Sequence, residues 1–228
     1  DIIRRLDIPG ASIVCTGFDR PNLHFAVQRT RDKDRSLLEF LRKHDKQCGV
    51  IYCATRSKVE SVTQQLQRHG FKALRYHAGL TPEERRNNQN AFVGGLVPLI
   101  VATNAFGMGI DKADVRFVVH YNMPKDVESY YQEAGRAGRD GLESECLLLY
   151  DKADIAVNTY LIGHDQPDLA WKAHEMELLQ KMTFYCNTSG CLRRVLLEYF
   201  GEKAPAKCNH CGNCDANKNA SWRRFLDL

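Results

Sequence analysis

Between Lys46 and Tyr150 short apolar runs alternate with stretches of helical periodicity. The runs Gly49–Cys53, Leu99–Thr103, Phe117–Tyr121 and Cys146–Tyr150 are rich in β-branched residues and lack regular polar alternation. Strands read this way when both faces are covered, which is the condition of an all-parallel sheet. Between them, Ser57 followed by Glu60 reads as a capping box, Val59, Val62 and Leu66 share one helical face, and Gly70 stands where a C-terminal cap belongs. Thr81-Pro82-Glu83-Glu84 supplies an N-cap, a first-turn proline and a capping-box Glu for a second helix that closes at Gly94-Gly95. Asp126 opens a third, running through Tyr130 and Tyr131 toward Gly135. Strands and helices in alternation predict an α/β fold with right-handed crossovers.

Past Asp151 the strand signals stop, and helical patterns lead into a polar, Cys-rich tail, which places a boundary near residue 152. Residues 1–17 show no complete element and read as a linker; Phe18-Asp19-Arg20-Pro21-Asn22 reads as a turn leading into an extended segment. The expected organisation is a linker (1–17), an α/β domain (18–152) and a small, mainly helical domain (153–228). The longest apolar run, Leu96–Ala102, has seven residues, against the roughly 20 that cross a bilayer, so no membrane span is expected. No charged leader with an apolar segment opens the chain, which begins with Asp1, so the reading is an excised piece of a non-secreted protein. The net charge of +4 on 228 residues is too small to indicate a polyanionic partner by itself; any such attraction must come from local clusters.

Cysteine placement changes that picture. Of nine cysteines, Cys15, Cys48, Cys53 and Cys146 lie in or beside apolar stretches and read as small buried thiols. Cys186, Cys191, Cys208, Cys211 and Cys214 crowd into the last quarter. Cys208-x2-Cys211-x2-Cys214 sets three thiols at intervals that let tight turns aim them at one ion, and a fourth ligand completes a structural zinc site. Cys191, at the start of a helix patterned by Leu192, Val195, Leu196, Tyr199 and Phe200, suits a thiolate at a helix N-terminus; Cys186 and His210 compete with it. An iron–sulfur ligand run begins with the same spacing, but Lys218 stands where its next cysteine would follow. A zinc with four thiolates has no open position, so the site is expected to hold the fold rather than do chemistry. Its removal is expected to unfold the tail and leave the α/β domain largely intact. The basic neighbours Arg193, Arg194, Lys203, Lys207, Lys218, Arg223 and Arg224 read as a solvated face or as phosphate contacts.

Gln132-Glu133-Ala134-Gly135-Arg136-Ala137-Gly138-Arg139-Asp140-Gly141 sets two arginines three residues apart among small residues after a helix. Small residues admit close backbone approach, and two guanidiniums reach polyanionic oxygens bidentately, a combination that suits a triphosphate held by another surface. With this segment in place, the chain resembles the second RecA-like lobe of superfamily 2 helicases, and specifically the RecQ family of DNA helicases. Gly49-Val-Ile-Tyr-Cys-Ala-Thr-Arg56 resembles that family's motif IV, Val101-Ala-Thr-Asn-Ala-Phe-Gly-Met-Gly-Ile-Asp-Lys112 its motif V, and Ser129 to Gly141 its motif VI. Tyr199-Phe200-Gly201-Glu202, with Cys191 before it and the Cys triplet after it, resembles the family's zinc-binding subdomain.

The resemblance implies a RecA-like parallel sheet with helices on both faces, followed by the zinc subdomain, with Cys191 rather than Cys186 as fourth ligand. It implies that Arg136 and Arg139 face ATP bound by another lobe, Arg139 as arginine finger, with Gly109, Asp111 and Gln132 on the nucleotide side. Arg56, Ser57, Thr103 and Asn104, just after strand ends, would follow the DNA backbone without reading bases. The chain has no Gly-Lys-Ser/Thr loop and no Asp-Glu pair of the Walker B type, so a preceding lobe would cradle the phosphates and hold Mg²⁺. The implied whole is an ATP-dependent 3′-to-5′ DNA helicase of repair and recombination, cytoplasmic in a bacterium or nuclear in a eukaryote. Its rivals are a zinc-containing DNA- or protein-binding module and an RNA-directed superfamily 2 helicase.

Overall fold

A computed structural model describes residues 2–12, 17–107, 111–165 and 168–216. Six strands form one parallel sheet: β1 (Leu23–Arg29), β2 (Gly49–Tyr52), β3 (Ala73–Tyr76), β4 (Leu99–Ala102), β5 (Phe117–His120) and β6 (Ser144–Tyr150), in the order β1-β6-β5-β2-β4-β3. Every residue of β2, β4 and β5 is buried, which is why those runs lack polar alternation. Helices α2 (Lys33–Lys43) and α3 (Arg56–Arg68) cover one face, where Leu37, Leu41, Val59 and Leu66 meet Ile51, Val101 and Val119. On the other face α4 (Pro82–Val93) and α5 (Val127–Ala134) place Phe92, Tyr130 and Ala134 against Tyr52, Ile100 and Val118. A RecA-like sheet with helices on both faces is thus observed.

Local chemistry sets the helix ends. Thr81 and Glu84 form the expected capping box, with Pro82 in the first turn, and Asp126 caps α5 by accepting from the Ser129 amide at 2.5 Å. Helix α3 departs from expectation. Its cap is Thr55, whose hydroxyl accepts from the Lys58 amide at 3.2 Å, because Glu60 turns outward to Arg75 (2.7 Å) and His77 (2.9 Å) instead of reaching back. Gly70, at φ +84°, ends that helix where the Phe71 amide reaches the Leu66 carbonyl, a left-handed turn that favours glycine. Two elements carry weaker sequence signals. Residues 2–6, inside the expected linker, form the single-turn α1 (Ile2–Leu6), and the edge strand β3 is only half-buried.

The segment after Ala153 folds as α6 (Ala153–Asp165), α7 (Leu169–Asn187) and α8 (Leu192–Tyr199). It is no loose appendage. Met182 and Tyr185 of α7 and Leu192 and Leu196 of α8 join the core cluster of the α4–α5 face, each fully buried Leu stabilising by roughly 1.5–3 kcal/mol. Two buried cations tie the parts together. Lys33, at the start of α2, bonds Asp154 of α6 at 2.6 Å and the Tyr121 carbonyl at 2.9 Å, and Asn122 donates to the other Asp154 oxygen at 3.1 Å. Arg193 of α8, expected on a solvated or phosphate-binding face, is buried instead: it donates to Asp19 (2.6 Å) and to the carbonyls of Arg20 (2.7 Å), Pro21 (3.4 Å) and Leu23, with its guanidinium 5.6 Å from the Phe25 ring.

Asp154→Ala leaves Lys33 buried without its counter-ion and is expected to destabilise the chain by about 3–5 kcal/mol, read from the urea midpoint at constant slope. A weaker pair joins α2 to β6, where His44 Nε2 lies 3.4 Å from Glu145 Oε1. The Glu145 contact raises His44 above the usual imidazole value, and the same contact lowers the Glu145 carboxyl. The His44 contribution is complete below the unfolded imidazole value and disappears as pH rises through the raised one. The Glu145 contribution is complete above the unfolded carboxylate value and disappears as pH falls through the lowered one. The stability lost in His44→Gln is therefore expected to be largest between about pH 4.5 and 6.5, as parallel urea titrations of the two proteins across pH will show.

Candidate functional site

Strands β2, β4 and β3 are neighbours, and their C-terminal ends open side by side. Open α/β sheets bind ligands at this edge. Arg56 and Ser57 stand exposed on the first turn of α3, and Asn104 is exposed just past β4. Thr103 is 8% exposed and its hydroxyl accepts from the Ala105 amide at 3.4 Å, so it shapes the turn rather than facing outward. Two further loops reach the same edge. The Ala54 amide donates to Asn122 Oδ1 at 3.2 Å, which fixes the loop after β2 against the end of β5. His77 is buried, with Nε2 2.9 Å from Glu60 and Nδ1 accepting from the Gly79 amide at 3.2 Å. Burial pushes the Glu60 carboxyl up, but hydrogen bonds from Arg75 and His77 outweigh it and hold the group below its ordinary value. Arg56 lies over this turn, its Cδ 3.3 Å from where a Cβ on Gly79 would sit.

Beside the edge a cavity of about 350 Å³ is lined by Tyr52, Asn104, His120, Asn122, Lys125 and Glu175 among others. His120 is wholly buried, stacked on Tyr52 at 5.5 Å, with Nε2 2.9 Å from Glu133. Neither His77 nor His120 stood out in the sequence reading. The available signal was a histidine closing the otherwise apolar run Phe117-Val-Val-His120; at His77, which follows Ala73-Leu-Arg-Tyr76, an arginine already interrupts the apolar run.

The two arginines of the Gly-rich segment meet the loop after β4. Arg136 donates to the Gly107 carbonyl at 2.8 Å, and a Cβ on Gly107 would fall 2.7 Å from the Arg136 Nη2, so that position admits only glycine without a shift. Arg139 Nη1 lies 3.0 Å from Asp111 Oδ1, with 36% of the Arg139 side chain and 88% of the Asp111 side chain exposed. Arg136, Arg139 and Asp111 are thus brought together. Gln132 is exposed on α5 four residues before Arg136. Gly109 lies outside the described residues.

The sulfurs of Cys191, Cys208, Cys211 and Cys214 all lie within 4.8 Å of one another. Cys191 and Cys211 are 4.0 Å apart, as are Cys208 and Cys214, against the roughly 3.8 Å edge of a tetrahedron with zinc–sulfur bonds of about 2.3 Å. Amides of Cys208 (3.3 Å) and Arg194 (3.5 Å) point at Cys191 Sγ, and that of His210 (3.4 Å) at Cys208 Sγ. Burial pushes the Cys208 thiol up to about 12 and Cys214 upward, whereas hydrogen bonds, those of the Cys214 and Leu192 amides among them, outweigh burial at Cys211 and hold it below the ordinary thiol value. Four thiolates packed this closely repel one another and require a cation. The donor set fits zinc. Cys191 is the N-cap of α8, as its place before an apolar helix suggested. Cys186 lies buried on α7 outside the cluster, and the His210 ring turns to His24 at 5.2 Å. Arg194 pairs with Glu198 at 2.7 Å, and Lys203 and Lys207 are exposed. Lys218, Arg223 and Arg224 lie outside the described residues, as does Cys15.

Residues 32–141 match the family described as helicase conserved C-terminal domain, and residues 152–215 match RecQ zinc-binding. The chain is 44% identical over 220 residues to the ATP-dependent DNA helicase RecQ of Bacillus subtilis, covering 96% of this chain and 37% of that protein. It is 39% identical over 236 residues to the mouse bifunctional 3′-5′ exonuclease/ATP-dependent helicase WRN, covering 96% of this chain and 17% of that protein. A putative ATP-dependent RNA helicase of Acanthamoeba polyphaga mimivirus is 37% identical over 217 residues, covering 94% of this chain and 39% of that protein. Fold and matches together define a helicase C-terminal lobe joined to a zinc-binding subdomain. The chain belongs to the RecQ family, and it spans between about a sixth and two fifths of the length of these curated relatives. Among the described residues no helix is long and apolar enough to cross a membrane.

The expectation that metal loss spares the α/β domain needs correction. Cys211 forms a bridge with Phe25 of β1, and Cys191, Cys211 and Cys214 sit inside the same core cluster as the sheet. Cys208→Ser is therefore expected to lower zinc from about one per chain toward none and to shift the melting of the sheet and the zinc subdomain together. Elemental analysis, and thermal melts followed at a sheet and a tail reporter, check both.

Proposed function

We propose that this chain is the second RecA-like lobe (18–152) and zinc-binding subdomain (153–228) of an ATP-driven DNA helicase acting 3′ to 5′. The observation that carries this reading is the junction of Arg136 with Gly107 and of Arg139 with Asp111. It gathers two guanidiniums and a carboxylate on a partly exposed surface, with the RecQ family match behind it. Arg139, the more exposed of the two, serves as arginine finger to a nucleotide that a partner lobe holds with Mg²⁺. Arg136 fixes the turn, and Asp111 contacts the sugar after releasing Arg139. A guanidinium so placed stabilises charge on the transferring phosphoryl group. Cys191, Cys208, Cys211 and Cys214 hold a structural zinc. Arg56, Ser57 and Asn104 follow the nucleic-acid backbone, while Thr103 shapes the loop that presents Asn104. Donors of this kind bind phosphates without reading sequence, and they make binding salt-sensitive.

Closing the two lobes around ATP would seat Arg139, and hydrolysis would release it, moving the nucleic-acid edge relative to the partner lobe. Backbone contacts alone do not separate DNA from RNA, so competition between the two for the full-length enzyme belongs to the test. The main experiment is Arg139→Ala in the full-length enzyme. DNA-stimulated ATP hydrolysis is expected to fall by about 10³-fold or more with single-strand affinity kept, and the isolated chain to hydrolyse ATP only when a first lobe is supplied. Hydrolysis by the isolated chain would overturn the split-site assignment, equal loss of hydrolysis and DNA binding in the variant would make Arg139 a structural residue, and no hydrolysis with a first lobe restored would favour a binding module.

A further inference from the structure

Residues 17–22, which lead into β1, touch both the arginine turn and the zinc subdomain. The Arg20 guanidinium donates to the carbonyls of Gly135 (3.3 Å), Ala137 (3.1 Å) and Gly138 (2.9 Å). Asn22 Nδ2 donates to Gly138 (2.8 Å) and Leu142 (2.9 Å). The C-terminal carbonyls of a helix lack partners within it, and a cation there is favoured by the helix dipole. Arg20 sets its cation at the end of α5 and its donors on the cap carbonyl of Gly135 and on the turn just beyond it. On the other side of the turn the Gly138 amide donates to the Val115 carbonyl at 2.8 Å. Gly138 is at φ +57°, and an added Cβ would fall 2.5 Å from Asn22 Nδ2 and 2.7 Å from the Leu142 carbonyl. The residue before Arg139 is thus held on both faces with no spare room.

The same segment is gripped from the zinc side. Arg193, two residues after the zinc-site Cys191, donates to Asp19 at 2.6 Å and to the Arg20 carbonyl at 2.7 Å. Phe18 stacks on Phe200 at 4.5 Å, and its amide donates to Glu202 at 2.7 Å. The Tyr131 hydroxyl of α5 donates to the Phe18 carbonyl. Arg20 therefore has its backbone fixed by the zinc subdomain and its side chain on the turn that carries Arg136 and Arg139.

We propose that Arg20 is a positioning residue for ATP hydrolysis. Its guanidinium locks the Gly135–Gly138 carbonyls and so aims Arg139, and through it the zinc subdomain acts on the nucleotide side of the protein. The proposal rests on the reading of Arg139 given above. A turn free to shift by about 1 Å loses roughly 10²-fold in rate when it carries a group that must meet a transition state. Because the Arg20 guanidinium is committed to the carbonyls of the turn, ground-state binding is expected to be spared.

The test compares Arg20→Ala, Arg20→Lys and Arg139→Ala in the full-length enzyme, with zinc content and melting temperature measured for each. Arg20→Ala is expected to lower kcat of DNA-stimulated ATP hydrolysis by about 10- to 100-fold while KM for ATP and the Kd for single-stranded DNA change by less than about threefold. Arg20→Lys, which keeps a cation and donors for the carbonyls, is expected to recover most of that loss. Wild-type kcat in Arg20→Ala, alongside a crippled Arg139→Ala, overturns the positioning role alone. An active Arg139→Ala overturns the arginine-finger reading on which it stands. Parallel loss of zinc, DNA affinity and kcat makes Arg20 merely structural and also overturns the proposal. If Arg20→Ala does not fold, Arg20→Gln replaces it, with the same kcat-against-KM comparison deciding.

Discussion

The architecture turns on one buried guanidinium. Arg193 carries its charge into the contact between α8 and β1, where a carboxylate and three main-chain carbonyls receive it. Burying an ion costs several kcal/mol unless its hydrogen bonds are satisfied, so this contact exists in one arrangement or not at all. That requirement fixes the chain from Asp19 to Leu23 and sets where β1 begins. It also sets the angle at which α8, and the four-cysteine cluster capped onto it, meet the sheet. A hydrophobic contact of similar area would tolerate sliding. A guanidinium shared among fixed carbonyls does not.

Lys33 and Asp154 impose the same logic at the other end of these strands, past the C-termini of β1, β5 and β6, joining α2 to α6. Together the two cations make the zinc-bearing helices part of the wall of the parallel sheet. This is why the metal site and the sheet share one core cluster although they read as separate domains in sequence. The composition shift at residue 152 marks a change of secondary structure, from alternating strands and helices to helices alone, and not a break in packing.

What the sequence conveyed follows from the range of each interaction. Strands buried on both faces, the Thr81 capping box, the Asp126 cap and the short cysteine spacings are written within a few consecutive residues and were legible. Arg193 pairs with residues more than 170 positions away, and nothing local separates it from its exposed neighbour Arg194. Its burial could not be read from periodicity. The cap of α3 was misplaced by two residues because Glu60, a fitting capping-box partner for Ser57, is claimed by Arg75 and His77 across the turn. Thr103 follows a strand as a phosphate donor would, yet it lies buried with its hydroxyl accepting from the Ala105 amide, a setting that its position in the chain does not reveal. A single histidine at a strand end, as at His77 and His120, violates no periodicity and so carries no signal of its burial.

The arginine turn shows how the fold converts these constraints into chemistry. Gly107 and Gly138 are the two positions of this turn where an added side chain forces a shift, one against the end of the Arg136 guanidinium and the other against Asn22, the Leu142 carbonyl and Ser144. Glycine there lets backbone come close to its partners, so Arg136 is anchored on a main-chain carbonyl and the residue before Arg139 is held by Arg20, Asn22 and the Val115 carbonyl. Preorganisation of this kind matters because a charged group contributes to a transition state only if it need not be rearranged when charge develops. Asp111 pairs with Arg139 while 88% of its own side chain stays exposed. An exposed ion pair is worth only about 0–1 kcal/mol, so, on the role proposed above for Arg139, a polyphosphate can displace the carboxylate at little cost. A deeply buried partner would hold Arg139 away from such a ligand. The rigidity lies in the turn, the readiness to exchange lies at its tip, and the division between them falls at Gly138.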